Sequence, residues 1–192
     1  MALKLSLRQR NRLQAMQLVQ TTAVAMFETE GFEPTTIEAI AEACGVSPST
    51  IYRHFGTKER TVLWDERDSI IDDELRRRLG NQTAVDAFRD AAIAALATRD
   101  DRALFLRRLK LTYTEPAIWA AAAQQDRIDR TELAAGIASS ERRETTTLGD
   151  DCTAAVCLAT LDIALDHWQQ ADAAIELADL IMRAFSAAAA LE

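Results

Sequence analysis

Ser47, Ser49, Thr50, Tyr52, Arg53 and His54 place six hydrogen-bonding side chains within eight residues. Each can donate to a phosphate oxygen or to the edge of a base. The apolar positions among them, Val46, Ile51 and Phe55, are spaced to pin the segment from behind, which leaves the polar set on the outer face. A helix-turn-helix needs a tight turn, a small residue where its helices cross, and apolar residues that hold the second helix down. Gly45 supplies the turn and Ala41 the crossing. Taken alone, the pattern also describes a helical hairpin whose polar face is merely solvated.

The elements that position this face are read outward from it. Only six Gly and three Pro punctuate the 192 residues, and apolar residues recur at spacings of three and four, so an all-α chain is expected. The first helix spans about Leu7 to Glu30, with Leu13, Met16, Ala23, Val24 and Phe27 on one side and Gly31 past its end as a left-handed cap. Thr35-Thr36-Ile37-Glu38 reads as a capping box, with the Thr35 hydroxyl accepting from the Glu38 backbone; it opens a second helix to about Ala43. Ser47 as N-cap and Pro48 in the first position open a third, to about His54. Thr57 is expected to cap a fourth helix that carries Val62, Leu63, Ile70, Ile71 and Leu75 toward Gly80, long enough to bridge two domains. Beyond it the pattern predicts helices near 83–98, 102–113, 116–143, 150–169 and 172–190.

A net charge of −8 argues against a nucleic-acid partner until it is resolved along the chain. Up to Lys58, six basic residues (Lys4, Arg8, Arg10, Arg12, Arg53, Lys58) face five acidic ones, a net +1; the remainder carries −9. An acidic body would repel DNA, while the early basic residues can gather on one surface. Cys44, Cys152 and Cys157 suit neither a disulfide framework nor a zinc site, so buried thiols in a reducing compartment are expected. No apolar run reaches the roughly 20 residues of a membrane helix, and the first residues have no signal-like stretch; a cytoplasmic protein with no membrane partner is expected. With two histidines, His54 and His167, and no HExxH, phosphate loop, paired-cysteine site or nucleophile elbow, an enzyme would lack its machinery. No catalytic residue, metal or cofactor is expected.

The run Thr35-Thr36-Ile37 through Ile40-Ala41, then Gly45-Val46-Ser47, Thr50-Ile51-Tyr52, His54-Phe55 and Thr57-Lys58-Glu59, resembles the signature of the tetracycline-repressor family, over roughly Arg10 to Leu63. The resemblance implies an all-helical homodimer with a helix-turn-helix DNA-binding domain in residues 1–56 and a ligand-binding and dimerisation domain in 57–192. The implied partners are double-stranded, partly palindromic operator DNA and a small-molecule inducer that releases it. Thr36 and Lys58 match positions that contact phosphates, as a helix amino terminus and an ammonium can. Thr35 stands beside them; Tyr52 and His54 match further backbone contacts. Ser47, Ser49, Thr50 and Arg53 are left for base or mixed contacts, with Arg53 placed for guanine. Pro48-Ser49 departs from the family, which often has Gly before the Thr, so contacts there stay open. Arg8, Arg10 and Arg12 either reach phosphates or the minor groove or form a solvated basic end.

In the second half, Arg102 to Leu109 and Thr114-Glu115-Pro116-Ala117-Ile118 resemble the subgroup of these regulators with an acyl-CoA-like ligand domain. Ala91, Ala92, Ala95, Ala121 and Ala122 leave room for a chain between walls of Phe88, Leu96, Phe105, Leu109, Tyr113 and Trp119, which suits a hydrophobic or acyl-CoA-like effector. Ordinary core packing is the other reading of the same residues. Arg107, Arg108 and Lys110 could hold ligand phosphates. The last two helices line up Ala154, Leu158, Leu161, Leu165 and Trp168, and Leu177, Ile181, Ala184 and Ala188. In the resembled family these helices pair across a two-fold axis into a homodimer; the residues alone also fit an intramolecular core. A constitutive DNA binder without a ligand is the alternative to an inducible repressor. For the repressor, the continuous fourth helix is the expected lever between ligand and reading heads.

Overall fold

The computed structural model describes residues 6–65, 68–96 and 101–190. They form ten helices: α1 (Leu7–Glu30), α2 (Ile37–Cys44), α3 (Pro48–Phe55), α4 (Glu59–Leu63), α5 (Asp68–Arg78), α6 (Ala84–Leu96), α7 (Arg102–Thr114), α8 (Pro116–Ser140), α9 (Leu148–Gln170) and α10 (Leu177–Ala189). The described residues are all-α, as expected.

α1 opens on a capping box of its own. The Ser6 hydroxyl accepts from the Gln9 backbone, and the Gln9 side chain accepts from the Ser6 backbone at 2.8 Å. Gly31, at φ 93°, closes the helix. α2 begins one residue later than the expected box: Thr36 is its N-cap and accepts from Ala39 N at 3.1 Å. Thr35 is 1% exposed, and its hydroxyl donates to the Gly31 carbonyl at 2.8 Å, so it locks the α1–α2 turn instead. Gly45 is left-handed, and Ser47 and Pro48 start α3 as expected.

The largest departure is the fourth helix. α4 stops at Leu63, Trp64 leaves the helical region with ψ 129°, and α5 follows as a separate helix; residues 66–67 of the expected lever lie outside the described residues. The cause is tertiary. A helix end strands its last carbonyls, and here two buried side chains supply the donors. Gln20 of α1 donates to Thr61 O at 2.9 Å and Trp64 O at 2.7 Å. Arg108 of α7 donates to Val62 O at 2.7 Å and Leu63 O at 3.2 Å, and pairs with Asp65 at 3.1 Å.

Two apolar clusters organise the molecule. One joins α1–α4 around Phe27, Ile40, Ile51, Phe55 and Val62 and recruits Leu111 and Ile118 from α7 and α8. The other fills the second half around Phe88, Phe105, Ile137, Trp168 and Ile181. In this half α6 is described to Leu96, and the expected end at 97–98 lies outside the described residues. α9 starts early because Thr147 and Asp150 form a capping box, with Asp150 also gripped by Arg143 at 2.6 and 2.7 Å. α10 starts late because the chain turns through left-handed Asp172 and Ala173, held by Trp168, whose Nε1 donates to Ile175 O at 3.0 Å.

The faces of α9 and α10 expected to meet a partner are intramolecular. Ala154, Trp168, Leu177 and Ile181 are buried in the second cluster, and Leu158, Leu161, Leu165 and Ala184 pack against it. What these helices leave outward is a different apolar stripe: Val156, Ala159 and Ile163 on α9, with Met182 on α10.

Candidate nucleic-acid interface

α3 is held from behind and open in front. Ile51 and Phe55 are 1% and 4% exposed, Val46 packs against the same cluster, and Ala41 is buried where α2 crosses. The spacing of those anchors turns Ser47, Ser49, Tyr52 and Arg53 outward, all exposed, with Thr50 and His54 half-buried beside them. Two of these side chains carry a structural task as well. The Ser47 hydroxyl caps α3 by accepting from Thr50 N at 3.3 Å and lies 2.9 Å from the Thr50 hydroxyl. Thr36, exposed at the amino terminus of α2, stands where unpaired backbone N–H groups favour an anion.

Two expected contacts are placed otherwise. Thr35 is buried in its turn and has no surface to offer a duplex. Lys58 points inward: its ammonium donates to the carbonyls of Phe32, Thr35 and Glu33 at 2.7, 3.1 and 3.4 Å and lies 4.0 Å from the centroid of the Phe32 ring. An ammonium has three N–H donors, so Lys58 fastens the turn that presents Thr36.

Burial, then the charge of Arg53, then that of Arg12 hold His54 below its usual pKa. The free head therefore favours a neutral imidazole, flanked by two permanent charges.

The residues expected to wall a ligand divide into two groups. Phe88, Leu96, Phe105 and Leu109 are buried in the second core; Phe88 packs against Phe185 with ring centroids 6.3 Å apart, and Phe105 against Trp168 at 5.6 Å. They serve as ordinary core. Tyr113 and Trp119 instead meet at 5.5 Å and line an open groove of about 330 Å³ with Thr114, Glu115 and Pro116. A second cavity, about 300 Å³, lies over the α4 break between Gln17, Gln20, Trp64, Asp65, Leu104 and Arg108. The basic trio expected at ligand phosphates is engaged: Arg107 with Glu28 at 2.9 Å, Lys110 with Asp172, and Arg108 with α4. Gln20 is the functional candidate that the sequence did not disclose, and Arg108 takes a different role from the one expected, holding α4 instead of ligand phosphates. A glutamine on the apolar face of α1 was the one available signal. Among the described residues no group of His, Cys, Asp and Glu could hold a metal, and no helix is long and apolar enough to cross a membrane.

Comparison with known proteins matches both halves. Residues 21–60 fit the profile of bacterial regulatory proteins of the tetR family, and residues 82–191 fit that of the MftR C-terminal domain. The HTH-type transcriptional regulator TcmR of Streptomyces glaucescens is 42% identical over 57 residues, which are 30% of this chain and 25% of TcmR. YerO of Bacillus subtilis strain 168, an HTH-type transcriptional regulator, is 43% identical over 42 residues, 22% of this chain and 14% of YerO. The chain thus spans a quarter or less of these curated relatives. Two solved structures share the fold over nearly the whole chain. Thermus thermophilus FadR, a TetR family transcriptional repressor in complex with lauroyl-CoA, superposes with a TM-score of 0.53 at 20% identity, covering 90% of this chain and 92% of FadR. NalD, the secondary repressor of the MexAB-OprM multidrug efflux pump in Pseudomonas aeruginosa, gives 0.56 at 15% identity, covering 93% and 95%.

Proposed function

This chain belongs to the tetR family of bacterial regulatory proteins and carries an MftR C-terminal domain, and from that premise we propose that it is a cytoplasmic, ligand-released repressor that reads operator DNA with α3. The observation that carries the reading is the construction of α3: Ile51 and Phe55 pin it while Ser49, Tyr52 and Arg53 project outward together. In this reading residues 1–56 form the reading head and 57–192 the sensing and dimerisation body. Arg53 takes the bidentate guanine contact, with Ser47, Ser49 and Thr50 at neighbouring edges. Thr36, Tyr52 and His54 hold the phosphates, and Lys58 acts by fixing the turn beneath Thr36.

Two protomers join through the outward stripe of α9 and α10, Val156, Ala159, Ile163 and Met182, whose exposed apolar surface is the kind that marks an interface. A two-fold dimer presents its heads to half-sites about 34–36 Å apart or a multiple of that, so a shift of a few ångströms breaks register. The broken fourth helix changes how such a shift arises. It passes through the joint in which Arg108 of α7 holds the carbonyls of α4, and the ligand acts on that joint from the body. Lauroyl-CoA in FadR supports a hydrophobic or acyl-CoA-like effector as one class to test.

The test is selection of duplexes from a random pool by the purified full chain, followed by footprinting and stoichiometry. An inverted repeat bound by a dimer or a pair of dimers is expected. A monomer on one asymmetric site, or no enrichment, contradicts the proposal.

A further inference from the structure

The α7–α8 corner is a single residue long, Glu115 between Thr114 and Pro116, and its two sides differ. On the inner side Leu111 and Ile118, 7% and 0% exposed, are wedged into the core of the reading head. On the outer side Tyr113 and Trp119 face the groove, their rings tilted by 43°, with the Trp119 indole 47% exposed. Glu115 lies in the groove lining. Behind it the Tyr113 hydroxyl donates to Asp162 Oδ1 at 2.6 Å, which fixes the ring.

The charge around this corner is negative. Asp162, Asp166 and Asp126 all lie close enough to Tyr113 to push its phenol pKa upward, after burial, and Asp126 is itself held above its usual pKa by burial and then by Asp162 and Asp129. The cations of α7 are turned to other partners, Arg107 to Glu28 and Lys110 to Asp172.

We infer that this groove binds a small organic cation, an ammonium carried on an aromatic or short aliphatic body, against the packed Tyr113–Trp119 pair and beside the carboxylate of Glu115. Aromatic faces attract cations through their quadrupole, and a flanking carboxylate adds charge that a neutral ligand of the same shape cannot use. The inference deepens the repressor reading by naming an effector class, and it rests on that reading only for the consequence at DNA. A body seated on the Tyr113–Trp119 pair lies at the corner that carries the wedge of Leu111 and Ile118, next to the head.

The test uses the full chain with benzyltrimethylammonium as probe and benzyl alcohol as the neutral comparator, read by calorimetry and by tryptophan fluorescence. Saturable binding at least about tenfold tighter for the cation is expected. Trp119→Leu and Glu115→Gln should each weaken it severalfold, while Trp119→Phe keeps most of it. Absence of saturable cation binding, equal binding of both probes, or cation binding untouched by Trp119→Leu overturns the site. Operator affinity measured on the same samples separates the two ideas. Intact operator binding without cation binding removes the site alone, whereas cation binding by a chain that selects no operator keeps the site and removes the repressor.

Discussion

In the α1–α3 head the helix ends are capped by adjacent residues, Thr36 and Ser47 at the starts and Gly31 and Gly45 at the ends, while Lys58 braces the α1–α2 turn from 26 positions beyond Phe32. At the joint with the body, α4 is closed by Gln20 and Arg108, which stand 41 and 46 positions from the carbonyls they hold. Locally closed turns make a reading surface that survives changes elsewhere. A turn closed from a distance depends on where α1 and α7 lie, so it registers any movement of the body. The two constructions suit the two tasks of a regulator, a constant reading face and a responsive attachment.

Breaking the joint should have the largest effect. Arg108→Met removes a buried charge from Asp65 and the donors from two carbonyls, and a loss of about 3–5 kcal/mol in urea unfolding is expected. A loss within the roughly 0.5 kcal/mol of an ordinary surface change would show that the joint holds nothing. Gln20→Leu should cost less, about 1–3 kcal/mol, because the bonds it removes are uncharged.

Lys58 sharpens the comparison from the head side. As the fastener of the α1–α2 turn, Lys58→Met should lower stability by about 1–3 kcal/mol and leave the salt slope of operator binding unchanged. An unchanged melting temperature with a slope reduced by about one would restore it to the phosphate. Ser47→Ala should cost about 1 kcal/mol of stability through the lost cap.

How far the sequence discloses this molecule follows the same division. The α1–α3 boundaries are legible because Gly31, Gly45, Ser47 and Pro48 act on adjacent backbone. Thr35 and Thr36 are adjacent and chemically alike, so the capping threonine is off by one; only the packing of Thr35 against Gly31 separates them. The α4 break is illegible because the stretch from Glu59 to Arg78 contains no Gly or Pro and the break is made by distant donors. The late start of α10 has the same origin, a turn of ordinary helix formers held by Trp168. The inward side of α9 and α10 is likewise set by neighbours distant in sequence, in the second cluster. Within the candidate site, the exposed set on α3 follows from spacing, whereas the inward turn of Lys58 does not.

Smaller effects are expected from pH. Burial, Arg53 and Arg12 depress the pKa of His54 below 6.5, so the free head is neutral there at pH 7, and protonation, which opposes folding, costs stability as pH falls below 6.5. A phosphate near the imidazole reverses the local field, so operator binding takes up a proton and tightens, relative to His54→Asn, as pH is lowered toward 6. A pH-independent ratio of the two affinities would remove His54 from the interface. The smallest change is at Asp126, whose folded-state pKa is raised by burial and then by Asp162 and Asp129. Stability is lost as pH rises from the ordinary carboxylate value through the raised one, so Asp126→Asn should give a slight rise in melting temperature at pH 7 and none at pH 3.

The central claim, that α3 reads sequence through Arg53, is tested most directly by one titration. Fluorescence anisotropy of the selected duplex and of each single-base-pair variant, with wild-type protein and Arg53→Ala at one fixed salt concentration, gives the discrimination at every position. The account predicts a loss of about 1–3 kcal/mol on the selected duplex and indifference to one symmetry-related base pair, with all other preferences kept. A uniform loss across every duplex, with discrimination intact at all positions, would contradict it and leave Arg53 a phosphate contact.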